Sequence, residues 1–314
     1  MLCNQLDLNK LQDHCVILRK SFLLGITSIF IFANVMAFEA FSQESQNKDL
    51  LLRSSLKSSL GEFYTISDPI SLFYFERNYE PFWIENRKRL DSLSSSLSQA
   101  GSHGLPKLRY PLEELRHAIS EDEPTQKAKL ELMATEAFLL YAQDISGGIL
   151  NPNKIDVNIN VVPNRKDTKK LLASLTENLD VNSFFKSLFP VSNEYKYLVN
   201  ELRRLREISL NGSWGDLVPT GVTLEVGMVH DHVPFLRKRL SQMGYPVSQT
   251  DLKIFDEELD VSVKKFQEYH GLNPDGVFGK RSIEAINIPP KTRLAQVLVN
   301  LERMRWNNQD RGDE

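Results

Sequence analysis

The stretch FQEYHGLNPDGVFGKRSIEAINIPP, residues 266–290, decides how the chain is read. It begins with helical spacing, breaks at Gly271, crosses Asn273-Pro274-Asp275-Gly276, and resumes a helical pattern after Gly279. Proline at a fixed φ and glycine free to take a positive one suit a reversal there. Upstream, Val233, Leu236, Leu240 and Met243 recur at helical spacing until Gly244 stops the run. Asp256 is placed to cap a second helix, whose acidic first turn (Glu257, Glu258) suits the helix dipole. Its buried stripe is Leu259, Val263 and Phe266, and Ile283 and Ile286 face inward from a third helix. Three short helices around one apolar centre make a unit we delimit at 222–290, near the lower size limit for independent folding.

Outward from this unit the chain is mainly helical. Asp68 followed by Pro69 marks a helix start, and "YEPFW" after it reads as a turn or short extended piece. Residues 124–145 form the clearest helix of this half, with Leu130, Met133, Ala137, Leu140, Tyr141 and Asp144 on one face. "NPNKIDVNINVVPN" alternates Ile and Val with Asn, which predicts an extended loop or a lone strand. Leu198, Leu202, Leu205 and Ile208 give a later amphipathic helix. The domain 61–210 is therefore helical, and the Gly- and Pro-rich segment 211–221 reads as a linker to 222–290. A last helix within 291–314 carries Leu294, Leu298, Leu301 and Arg305 in one row, with no partner evident in the sequence.

The first residues differ from the rest. Arg19 and Lys20 precede an apolar run free of charge until Glu39, and Val35-Met36-Ala37 offers a small-x-small cleavage site. Residues 1–37 read as an export signal, or as a retained anchor, since the run approaches spanning length. A Ser-rich polar tether follows over 38–60. The leader holds three cations and two anions, so the formal charge of -3 becomes -4 without it. That balance lacks the basic excess that nucleic acid requires. The only cysteines, Cys3 and Cys15, precede the apolar run, so a cleaved chain has neither thiol chemistry nor disulfides.

The chain over about 220–290 resembles the peptidoglycan-binding type 1 family, a three-helix module, most closely in residues 255–289. The likeness rests on Phe255-Asp256, Phe266-Gln267, Gly271-Leu272, Asp275-Gly276-x-x-Gly279 and Ile286-Asn287. "RNYEPFW" at 77–83, "HGLP" at 103–106 and "YAQDISGGILNP" at 141–152 look like the scaffold domain of large bacterial L,D-transpeptidases. "RLAQVLVNLERMRW" at 293–306 is similar to the segment leading those enzymes into their YkuD-like catalytic domain. The family's Ser-His-Gly-Cys-x-Arg motif has no counterpart here, which reads as a chain without the catalytic domain.

Sharper chemical readings give way to plainer ones. His230-x-His232 has no third ligand at helical spacing and reads as a loop-to-helix start. Asp256, Glu257, Glu258 and Asp260 are better explained by a capped helix than by a glycosidase pair. Asn211-Gly212-Ser213-Trp214-Gly215 fits a glycosylation sequon but not a nucleophile elbow, and Arg311-Gly312-Asp313 is a triplet near the end of the sequence. For wall binding, the candidates are Gln267, Tyr269, His270, Asp275 and Arg281. Tyr269 suits a sugar face and Arg281 a stem-peptide carboxylate. Gly271, Gly276 and Gly279 are read as turn-shaping.

The sequence thus predicts an all-α protein without cofactor or metal, exported to a Gram-negative periplasm or anchored to the inner membrane facing it. Its expected role is non-covalent binding of peptidoglycan, with other envelope proteins as further partners. Two alternatives stand: the front part of an active L,D-transpeptidase forming 3-3 crosslinks, and an envelope interaction scaffold.

Overall fold

A computed structural model describes residues 41–118, 122–177, 180–248 and 253–307, together with 36, 38 and 39. Most of the expected leader, both cysteines and the Arg311-Gly312-Asp313 triplet lie outside the described residues. Within them the protein is all-α, and the only sheet-like pairings are the isolated bridges Leu224 to Phe278 and Val229 to Ile254. The chain divides into two compact units: the part up to Leu90 with Glu113–Glu136, and Asp91–Leu112 with Ala137 onward.

In the first unit, helix α1 (41–63) occupies the stretch expected to be a polar tether. Leu52, Leu56 and Leu60 recur every four residues, and the last two are buried. That stripe outweighs the modest helix propensity of the serines between them. Helix α2 (Pro69–Glu76) starts as predicted, with the Asp68 carboxylate accepting the Ile70 N–H at 2.8 Å. After it, Asn78 and Tyr79 adopt positive φ of 52° and 58° and turn the chain into "EPFW". The short helix α4 (Leu112–Ala118) precedes α5 (Pro124–Gly147). Glu131 of α5 is fully buried and accepts the backbone N–H groups of Phe82, Trp83 and Ile84 at 2.5–3.1 Å and the Tyr74 hydroxyl at 2.8 Å. Burial pushes its carboxyl up while these donors pull against that shift. One buried carboxylate thereby fixes the aromatic turn.

The predicted face of α5 differs in detail. Met133 and Leu140 are only half-buried, whereas Thr135, not on that face, is inside; Asp144 is buried, as its place on the face required. Asp144 is held by Arg109 Nε at 2.5 Å and the Tyr110 hydroxyl at 2.9 Å. Polar residues with dedicated partners can be buried, so hydrophobic spacing alone misplaces the face.

The second unit holds most of α3 (Arg87–Ser98), which ends through a 3-10 turn at Gly104, where φ is +79°. The Ile/Val/Asn segment forms the short α6 (Pro152–Ile155) and then irregular chain, with no strand. Three helices follow: α7 (Thr168–Leu175), α8 (Val181–Leu188) and α9 (Asn193–Leu210). The three-helix part is α10 (Val233–Gln242), α11 (Glu257–Tyr269) and α12 (Lys280–Ile286), and α13 (Pro290–Trp306) closes the series. Val233, Leu236, Leu240, Leu259, Val263, Phe266, Ile283 and Ile286 are all buried, as the spacing required.

The last helix has a partner that the sequence did not reveal. Helix α13 packs along α9, burying Leu301 beside Leu202 and Leu205. Its end is tied down by Arg305, which donates to Glu302 and to the His103 carbonyl, each at 3.0 Å. Glu302 in turn accepts the Trp306 indole N–H at 3.0 Å and the Leu150 N–H at 2.7 Å. The core of this unit runs without a break from α9 into the three-helix part, and Trp214 and Val218 bring the segment 211–221 into it.

Candidate functional site

The reversal between α11 and α12 is organised around Gln267. Its side chain is 2% exposed, and its amide NH2 lies 3.0 Å from Asp275 Oδ1, 3.1 Å from the Val277 carbonyl and 3.3 Å from Ser282 Oγ. Its Oε1 accepts the Gly276 N–H at 2.9 Å. Both ends of the amide are thus occupied inside the protein. Asp275 accepts the Val277 N–H at 2.9 Å and the Asn273 amide at 3.0 Å. The Val277 N–H is the first of the causes that hold its carboxyl below the usual range.

The three glycines play different parts. Gly271 (φ +67°) and Gly276 (φ +81°) need the left-handed region. A Cβ on Gly276 would also overlap the Asp260 carboxylate. Gly279, at φ -96°, is an ordinary N-cap with room for a side chain.

Two buried arginines brace this part. Arg237, 3% exposed, pairs with the Asp256 carboxylate that caps α11. Arg239, 1% exposed, donates to the carbonyls of Trp214 and Gly215 at 3.2 and 2.9 Å and to Ile286 O at 3.1 Å. It therefore ties segment 211–221 to the end of α12. Asn287 adds a reciprocal pair with Val218, at 2.9 and 2.8 Å. His230 accepts the His232 N–H at 3.1 Å, a local turn ahead of α10.

Tyr269 and His270 lie at the far end of α11, on a groove of about 630 Å³ that the structure forms with α9. Tyr197 of α9 meets Tyr269 edge to face, with centroids 5.8 Å apart. His270 Nδ1 is 2.8 Å from the Phe266 carbonyl, and burial lowers its pKa. Burial thus favours the uncharged ring, and a proton on Nδ1 fits the Phe266 carbonyl, the tautomer in which Nε2 accepts. Gln267, Asp275 and Arg281 do not line this groove; Arg281 stands exposed on α12. The structure brings together two of the five predicted residues and sets the other three at or beyond the turn.

Comparison with known families accounts for this architecture. Residues 229–286 match the family model of the peptidoglycan-binding type 1 domain. This part of the chain is similar to a peptidoglycan-binding domain. Residues 68–202 match the Scaffold domain model, so the scaffold precedes the peptidoglycan-binding domain in the chain. No curated protein matches the sequence. A peptidoglycan-binding domain is the part of a protein that associates with the cell wall, and peptidoglycan is the partner it implies.

Several groups around the peptidoglycan-binding domain escaped the sequence reading. Arg239 sits in a helix rich in basic residues, and nothing in its spacing distinguishes a buried guanidinium from an exposed one. Tyr197 and Arg293 reach the groove from outside residues 229–286, from helices that the sequence places far apart. The one legible signal was the Trp214 in a segment otherwise poor in large apolar residues.

Proposed function

We propose that this chain is an exported cell-wall protein that holds peptidoglycan non-covalently through residues 222–290, with 61–210 as its helical scaffold. The observation that carries this reading is the peptidoglycan-binding match over 229–286, on a module whose reversal is closed by Gln267 and whose middle helix is capped by Asp256. Export is supported by the charged flank and apolar run in residues 1–37, and a periplasmic location follows from it. Among the described residues no helix is long and apolar enough to cross a membrane. The order of scaffold and binding domains supports kinship with L,D-transpeptidases. Their crosslinking needs a nucleophilic cysteine, and this sequence has none after Cys15, so we assign it binding and not bond formation.

The test is co-sedimentation of the purified protein with peptidoglycan sacculi. We expect it in the pellet, with release by soluble wall fragments. A folded protein that stays in the supernatant overturns the reading. The mass of the native species from the envelope addresses the crosslinking alternative: a form well above 36.0 kDa with an alkylatable thiol assigns that activity to it.

A further inference from the structure

The groove beside Tyr269 combines features that a packed helix junction does not need. Its walls come from α9 (Tyr197, Glu201, Arg204), from the loop and helix ends of the binding domain (Tyr245, Tyr269, His270), and from Arg293 of α13. Neither family match contains all of it, since Trp214, Arg204 and Arg293 fall outside both. Tyr197 and Tyr269 are 45% and 60% exposed, an aromatic pair at its rim. Flat rings open to water at a groove offer stacking to the CH face of a sugar.

The charges inside are unequal in their needs. Arg204 is already satisfied by Glu201, with two contacts of 2.7 and 2.8 Å. Arg293 has only neutral acceptors, the Ala285 carbonyl at 3.0 Å and Gln296 at 3.4 Å, and its buried Nε has no acceptor among the described residues. Trp214 lines the same groove at 2% exposure, and its indole N–H also has no acceptor there. Seven buried side-chain polar atoms lack a partner among the described residues, and two of them, from Trp214 and Arg293, belong to residues lining this one groove, where a bound acceptor could meet them. An Arg293 Nε and a Trp214 indole N–H that both lack an acceptor, a guanidinium whose other donors meet only neutral oxygens, and His270 beside them match a ligand bearing both a carboxylate and hydroxyl or amide groups.

We infer that this composite groove is the seat of a carboxylate-bearing glycopeptide, a muropeptide of the wall. Arg293 takes the carboxylate and the Tyr197–Tyr269 pair takes a sugar or acetamido face. The inference rests on the wall-binding reading and adds to it that the site is shared between the binding domain, α9 and α13. It places recognition away from the exposed Arg281.

The experiment uses the full chain, purified sacculi, and a soluble disaccharide–tetrapeptide released by muramidase. Tryptophan fluorescence, to which Trp214 contributes beside Trp83 and Trp306, reports occupancy, and circular dichroism confirms that each variant is folded. Arg293→Gln and the double change Tyr197→Ala with Tyr269→Ala are each expected to weaken binding at least about tenfold, while Arg281→Gln leaves it unchanged. An uncharged chitotetraose is expected to bind more weakly than the tetrapeptide-bearing sugar. If the wild type binds sacculi and both groove variants bind equally well, the groove is overturned and wall binding stands. Loss of binding in Arg281→Gln alone has the same meaning and moves the site to the turn. Equal affinity for chitotetraose overturns the carboxylate role of Arg293. A wild type that ignores sacculi overturns both readings.

Discussion

Gln267 Oε1 accepts the backbone N–H of Gly276 at 2.9 Å, so one side chain of α11 closes the turn that leads to α12. Replacing it with leucine keeps the bulk but strands that N–H and the Val277 carbonyl. We expect Gln267→Leu to cost about 1–3 kcal/mol, read as a lower urea midpoint with an unchanged slope. An unaltered midpoint would show that water replaces the amide without loss.

The glycines give a graded series. Gly271→Ala forces an L-residue to a positive φ in open space and is expected to cost about 1–2 kcal/mol. Gly276→Ala adds a collision with the Asp260 carboxylate and should cost more. Gly279→Ala, at a negative φ with space for a methyl group, is expected to stay within about 0.5 kcal/mol of the wild type. Thermal unfolding of the three variants checks the order, and a damaging Gly279→Ala would contradict it.

His103 stacks on Phe189 at 3.8 Å. Burial, and then the Arg305 guanidinium, push its pKa down to about 4. An unfolded histidine titrates near ~6.5, so between these values the unfolded chain takes up the proton more readily. Stability is therefore full above about pH 6.5, falls as the pH drops toward 4, and gains no further loss from this group below that. The total is of the order of 1–3 kcal/mol, discounted for partial exposure. His103→Phe should flatten this part of the stability profile measured by denaturant titration. A slope that persists in His103→Phe assigns the effect to other groups.

The seam between α9 and α13 can be probed by contrast. Leu301→Ala empties a fully buried position and is expected to cost about 2–5 kcal/mol. Val299→Ala, on a face 57% exposed, should be nearly silent. Equal effects, measured by calorimetry, would mean the seam is not formed in solution.

Much of this was legible in the sequence because it is local. Asp68 before Pro69 and Asp256 before an acidic turn announced their helices, since a cap and its helix lie within three residues. Leu259, Val263 and Phe266 announced their buried face because the period is short. Gln267 was visible as unusual but was read as a ligand group; its acceptors come from eight to fifteen residues away, across a turn whose closure cannot be read from spacing. The pairing of α13 with α9 was hidden for a related reason. Two amphipathic stripes a hundred residues apart carry no mark of which stripe each will meet. The serines of α1 misled in the opposite direction, since their composition concealed the leucines between them.

Arg239 gives the anchorage a mechanical character. A wall polymer seated beside Tyr269 would load the end of α11 and the helices packed with it, among which Arg239 of α10 ties the carbonyls of Trp214 and Gly215 to that of Ile286 at the end of α12. The bonds from Nη1 to Trp214 and Gly215 act side by side, in line with the Nε bond to Ile286, so the guanidinium passes load between segment 211–221 and the end of α12. The junction behaves under force as a rivet in place of a hinge.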